Sequence, residues 1–91
     1  MTQAASSPSG TWVLYILECS DGTFYTGITN NMQRRLQQHN AGSAARYTRG
    51  RRPVTLRYRE ACSGRSQALV REAAVKRLAR SEKQRLMNFM E

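Results

Sequence analysis

One histidine, one aspartate and two cysteines leave this 91-residue chain few of the groups that usually carry chemistry. Two-metal nucleases hold their ions with several convergent carboxylates, and a chain whose one aspartate, Asp21, sits in a turn signal cannot easily supply them. A single His39 excludes a two-histidine acid–base pair, leaves no credible Ser-His-Asp set, and no P-loop glycine pattern occurs. Cys19 and Cys62 are far apart, with no C-x-x-C, so one His and two Cys cannot build a four-ligand structural zinc site. A reduced, cytoplasmic protein fits this cysteine usage. No apolar run approaches the length of a membrane span. Residues 1–10, MTQAASSPSG, lack the basic and apolar stretches of a signal peptide. They read as a disordered leader, and residues 11–91 as a single domain.

Basic residues are missing from the first third: no Lys or Arg precedes Arg34. All 15 basic residues lie from there on, against 6 acidic residues in the whole chain, for a net charge of +9. Charge concentrated in this way suits a polyanion, most often nucleic acid. The plainer alternative is a basic protein with a solvated arginine-rich face.

Trp12 to Glu18 is rich in β-formers and reads as a strand, Ser20-Asp21-Gly22 as a turn, and Thr23 to Ile28 as the partner strand. A two-residue loop would put Tyr15 and Tyr25 on opposite faces. A three-residue loop with Gly22 left-handed pairs Leu17 with Tyr25 and puts both tyrosines on one face, and glycine stands where that turn needs positive φ. Both faces of the hairpin are largely apolar, so both are expected under helices. Asn30 or Asn31 can cap a helix reaching about Asn40 and ended near Gly42, with Met32, Arg35, Leu36 and His39 on one stripe and Arg34 pointing away. Ala44 to Pro53 reads as a basic loop. Val54 to Glu60 alternates as a third, edge strand with Arg57 and Arg59 on one face. Helices follow from about Arg65 to Ala79 and from Ser81, where Gln84 completes a capping-box pattern. The expected fold is α+β: a three-stranded, mostly antiparallel sheet flanked by helices, in the order β-β-α-β-α-α.

Tyr15, Tyr25, Arg35, His39 and Glu72 remain as chemistry-bearing candidates, and each has a plain structural reading. The tyrosines could be core aromatics, Gly27 a strand terminator, Arg35 a partly buried arginine, and His39 a satisfied polar residue near a helix end. Glu72 could pair with Lys76 one turn on. Yet it shares its helix face with Ala68, Leu69 and Val75, which is unusual for a freely solvated carboxylate.

Their order and spacing together resemble the GIY-YIG nuclease family. Its two triplets stand here in degenerate form as Leu14-Tyr15-Ile16 and Tyr25-Thr26-Gly27, with Leu14 where the name has glycine. Arg35, eight residues after Gly27, matches the family's arginine on the first helix. His39 matches a histidine found one turn later in the small bacterial members and the structure-specific resolvases. Glu72 in QALVREAAVKRL matches the family's metal-binding glutamate. Excision-repair members carry a lysine directly after the second glycine; Ile28 stands there instead. The resemblance covers about residues 12–85 and is closest to the small stand-alone bacterial proteins.

It implies a metal-dependent endonuclease hydrolysing phosphodiester bonds in DNA, with a structure- or repair-related role. Arg35 would hold the phosphoryl oxygens. Glu72 would hold one Mg²⁺ or Mn²⁺ ion with waters and phosphate. Tyr15 would orient water or phosphate, and Tyr25 or His39 would take the proton, a choice the sequence leaves open. Arg46, Arg49, Arg51, Arg52, Arg57 and Arg59 would bind the nucleic-acid backbone. Such contacts do not separate DNA from RNA, and DNA is the favoured expectation. The expected protein is a monomer away from membranes, with a protein partner able to supply specificity. The alternative is a non-catalytic nucleic-acid-binding module of the same fold.

Overall fold

Five consecutive residues, Val13 to Leu17, are all buried, as a strand covered on both faces requires. They lie in β1 (Trp12–Glu18), the middle strand of a three-stranded sheet in the computed structural model, which describes residues 11–88. β2 (Phe24–Thr29) and β3 (Thr55–Cys62) flank it, each antiparallel to it. The chain runs β1, β2, α1 (Met32–Ala41), α2 (Arg46–Arg49), β3, α3 (Arg65–Lys76) and α4 (Arg80–Asn88). This is the expected three-stranded antiparallel α+β architecture, with α2 inserted where the sequence reads as a basic loop. The leader expected at 1–10 and the last three positions of the expected 11–91 domain lie outside the described residues.

The hairpin follows the three-residue turn. Leu17 pairs with Tyr25 and Tyr15 with Gly27. Gly22 has φ 85°, and Asp21 Oδ1 accepts hydrogen bonds from the Thr23 amide and hydroxyl at 3.0 and 2.6 Å. Tyr15 and Tyr25 therefore share a face. Val13, Tyr15, Leu17, Cys19, Met32 and Val54 pack there, with Tyr25 and Leu36 against them, which seats α1. On the other face Leu14, Ile16 and Tyr58 pack with Val75 of α3 and Met87 of α4. Leu14, Ile16 and Leu17 are fully buried; each contributes about 1.5–3 kcal/mol of transfer free energy, so a register slip that turned them outward would be costly.

The third strand departs from strict alternation. Its register with β1 shifts between Ile16 and Leu17: Ile16 pairs with Tyr58, Leu17 with Leu56, and Arg57 is the extra residue. A bulge of this kind sends flanking residues to different faces. Leu56 joins the α1 side and Tyr58 the α3–α4 side. The arginine-rich face expected of this strand is split. Arg59 stands across from Tyr15, whereas Arg57 is ion-paired with Glu18 at 3.4 Å and borders a cavity with Phe24 and Met87.

Of the two candidate caps, Asn31 caps α1: its side-chain oxygen accepts from the Arg34 amide at 3.1 Å. The expected cap at the last helix moves. Glu82 Oε1 accepts from the Ala79 amide at 2.8 Å, so the cap lies two residues ahead of the Ser81–Gln84 pattern, because the helix begins at Arg80.

Candidate active site

β1 presents Tyr15, β2 presents Tyr25, and α1, which also carries Arg35, brings His39 over both. His39 ends a stripe whose Met32 and Leu36 are held by the apolar face of the hairpin. Its ring is 1% exposed and lies edge-on to both tyrosines, at centroid distances of 5.8 Å from Tyr15 and 5.2 Å from Tyr25. The Tyr15 hydroxyl is 2.9 Å from His39 Nε2, and His39 Nδ1 is 2.8 Å from Thr48 Oγ1 of α2. Gly27 lies inside β2 rather than at its end, and its role is close approach. A Cβ there would fall 2.6 Å from the Tyr15 hydroxyl oxygen and 2.7 Å from Cζ.

Burial pushes the Tyr15 phenol well above its usual range, reinforced by Tyr25, opposed by Arg35, and raised further by the Glu72 carboxylate. Burial likewise lowers His39 to about 4, helped by the Arg35 guanidinium. At neutral pH this is a neutral phenol bonded to a neutral imidazole; the Arg35 guanidinium acts on both groups and the Glu72 carboxylate on Tyr15. Arg35 is half-buried and borders a cavity of about 210 Å³ with Thr29, Asn30, Asn31, Arg34 and Gln38. Its guanidinium makes no ion pair or hydrogen bond among the described residues. Arg34, expected to point away, borders the same cavity from an exposed position.

Most carboxylates are committed elsewhere. Glu18 pairs with Arg57 and Asp21 with Arg51. Glu60 accepts from Arg71 at 2.7 and 3.2 Å and from the Tyr58 hydroxyl. Glu72, with a side chain 19% exposed, has one ion-pair partner among the described residues, the more exposed Lys76 at 3.3 Å. A pair whose lysine end stands in solvent is worth little, so Glu72 could exchange it for a cation. No group of three or more His, Cys, Asp or Glu that could hold a metal exists among the described residues. The donor set therefore fits a hard cation that keeps most of its waters and takes one carboxylate.

Two side chains that the sequence did not single out stand in the same place, both on α2. Tyr47 stacks on Tyr25, with centroids 5.8 Å apart and planes at 30°, and the Arg51 guanidinium lies 4.0 Å from the Tyr47 centroid. Thr48 is fully buried against His39. The only sequence signal was indirect: a buried histidine needs a partner on each nitrogen.

The expected phosphate-binding arginines are unequally available. Arg49, Arg51 and Arg52 each donate to backbone carbonyls, of Gly42, of Tyr47, and of Arg49 and Asn40 respectively. Arg46 and Arg59 are exposed and have no side-chain partner among the described residues.

The profile of the GIY-YIG catalytic domain matches residues 11–86. The chain belongs to the GIY-YIG family. The nuclease family's two named triplets thus correspond to the Tyr15 and Tyr25 strands, paired as described. Curated relatives are UPF0213 proteins. That of Halobacterium salinarum is 53% identical over 80% of this chain and 95% of its own length. That of Desulfotalea psychrophila is 52% identical over 88% and 74%. Among solved structures, the UPF0213 protein from Bacillus halodurans is 40% identical, covering 87% of this chain and 84% of its own, with TM-score 0.56. A protein from E. faecalis, also 40% identical, covers 88% and 86%, with TM-score 0.58. No helix among the described residues is long and apolar enough to cross a membrane.

Proposed function

We propose that this GIY-YIG domain is a metal-dependent endonuclease that hydrolyses phosphodiester bonds, with DNA as its substrate. The observation that carries the reading is Arg35: a half-buried guanidinium with no anionic partner among the described residues, on the helix that also supplies the imidazole of a hydrogen-bonded phenol–imidazole pair. An unpaired charge in such a place is costly and is relieved by an anion. A phosphate fits, because a guanidinium donates two parallel hydrogen bonds to its oxygens and holds them more strongly as charge builds up in the transition state.

Glu72 would hold the cation. GIY-YIG nucleases generally use a divalent metal, and Mg²⁺ or Mn²⁺ bound here would offset charge on the phosphate and leaving oxygen. The protein groups then have separate tasks. Tyr15 accepts a proton from the attacking water as its own proton passes to His39 Nε2, 2.9 Å away. Tyr25, less buried than Tyr15 and without a hydrogen-bond partner among the described residues, orients the water or the phosphate. Arg46 and Arg59, supported by Arg49 and Arg52, track the backbone of the nucleic acid. Arg51, tied to Asp21, and Arg57, tied to Glu18, contribute least. The domain works as a cytoplasmic monomer, and a partner protein supplies target choice.

One observation favours a non-catalytic nucleic-acid-binding module instead: the Lys76 ammonium already neutralises Glu72. Incubating the protein with supercoiled and branched DNA, with Mg²⁺ or Mn²⁺ and then with chelator, tests the choice. Chelator-sensitive nicking is expected. Tight binding with no cleavage of any DNA or RNA substrate would select the module.

A further inference from the structure

A threonine hydroxyl has one proton to give and two lone pairs with which to accept. Thr48 Oγ1 lies 3.2 Å from the Ala45 carbonyl oxygen and 2.8 Å from His39 Nδ1. The carbonyl can only accept, and both contacts are hydrogen bonds at once only when the hydroxyl proton points to Ala45. Toward His39 the oxygen is then an acceptor, and the proton between them belongs to Nδ1. A neutral imidazole carries one proton, so Nε2 is left bare. The Tyr15 hydroxyl 2.9 Å away must donate to it.

We infer that Thr48 is a positioning residue that fixes His39 in its Nδ1–H tautomer and so commits the Tyr15 proton to Nε2. The inference rests on the nuclease reading for its purpose but not for its geometry. The chain of donors runs one way: Tyr15 O–H to His39 Nε2, His39 Nδ1–H to Thr48 Oγ1, Thr48 O–H to the Ala45 carbonyl. In this polarity the Tyr15 oxygen keeps its lone pairs for whatever enters the site. It can accept a proton from water while passing its own to Nε2, which leaves an imidazolium whose Nδ1–H still donates to Thr48. With the opposite tautomer, Nε2–H would donate to Tyr15, and the phenol would offer its proton outward with no acceptor on His39 to receive it. Thr48 touches no substrate in this account. It sets the direction of proton flow through two groups that do the work, as the outer partner of a metal-bound or catalytic histidine commonly does.

The position is built for this task. Thr48 is fully buried in a four-residue helix, α2, whose preceding residue stacks on Tyr25. One turn of backbone thus holds the hydrogen-bonding end of His39 and the ring of Tyr25 together. The low basicity of His39, which burial and Arg35 impose, keeps the imidazole neutral, so the choice of tautomer is a real one at working pH.

The chain has a single histidine, so one set of imidazole signals reports it without ambiguity. Long-range ¹H–¹⁵N spectra of the whole protein at pH 7 should give a protonated Nδ1 and an unprotonated Nε2. Thr48→Val should shift the population to Nε2–H, the form a free imidazole favours, and Thr48→Ser should restore Nδ1–H. In cleavage assays Thr48→Val should lower kcat about 10–100-fold, the usual loss for an outer partner of a catalytic histidine, with KM unchanged and Thr48→Ser close to wild type. A wild-type spectrum with Nε2–H overturns the inference even if no Val variant folds. So does a folded Thr48→Val that keeps Nδ1–H, or one whose tautomer changes while kcat does not. An Nδ1–H tautomer that follows Thr48 in a protein that cleaves nothing upholds the assignment and refutes only the nuclease reading.

Discussion

Gly27 stands directly across the β1–β2 ladder from Tyr15, and the tyrosine ring fills the space where a side chain at Gly27 would be. A methyl group placed there meets Cζ at 2.7 Å. Because the ring is rigid and tied to His39, relief has to come from tilting the phenol away from Nε2. Gly27→Ala should cost about 1–3 kcal/mol of stability, the usual range for overpacking, read by urea unfolding. It should also shift the imidazole ¹⁵N signals of His39. An alanine variant as stable as wild type with unchanged signals would mean that the ring does not depend on this glycine.

Acid should destabilise the fold through His39. Its folded pKa, about 4, lies below the unfolded value near 6.5, so the unfolded chain binds the proton first. The neutral histidine's contribution is complete above pH 6.5, falls as pH drops from there to about 4, and is gone below it. At about 1.4 kcal/mol per pH unit, the loss is on the order of 3 kcal/mol at most. Urea midpoints of wild type and His39→Gln across pH 7 to 4 check this, since carboxylate titrations are common to both. Parallel curves would refute the buried neutral histidine.

The hairpin was legible because a glycine at the end of Ser20-Asp21-Gly22 admits only one turn that keeps both tyrosines together, and the structure has that register. The first helix was legible because Met32, Leu36 and His39 recur at helical spacing and Asn31 can cap it. Two features were not. Alternation from Val54 to Glu60 looks the same with or without an extra residue, so the bulge at Arg57, which parts Leu56 from Tyr58, left no periodic trace. A four-residue helix is too short to show periodicity, so α2 read as a loop, and with it Tyr47 and Thr48 passed unnoticed.

Binding should be electrostatic and uneven among the arginines. Affinity for duplex DNA should fall by about 0.9 log units per log unit of salt for each phosphate neutralised. Arg46→Ala and Arg59→Ala should each reduce that slope by roughly one, because neither side chain has a partner to leave among the described residues. Arg57→Ala should change it little, since Glu18 already neutralises that charge. Fluorescence anisotropy at several salt concentrations measures all three. Salt-insensitive binding would remove the nucleic-acid reading.

Tyr15→Phe keeps the ring that packs on Val13 and Leu17 and removes only the hydroxyl. In the proposed mechanism the lost group acts in proton transfer, which contributes about 10²–10⁴-fold, so kcat should fall by that order with KM nearly unchanged. A rise in KM at constant kcat would instead make the hydroxyl a binding contact.

The central claim is that Glu72 serves the chemistry and not the fold or the affinity. Its most direct test is one substrate, one gel and two proteins: wild type and Glu72→Gln with DNA and Mg²⁺, with binding measured on the same samples. The account predicts that Glu72→Gln binds within a few-fold of wild type, because the arginines carry the affinity. It predicts that cleavage falls by orders of magnitude, because the lost interaction acts in the transition state. Undiminished cleavage by Glu72→Gln would contradict it.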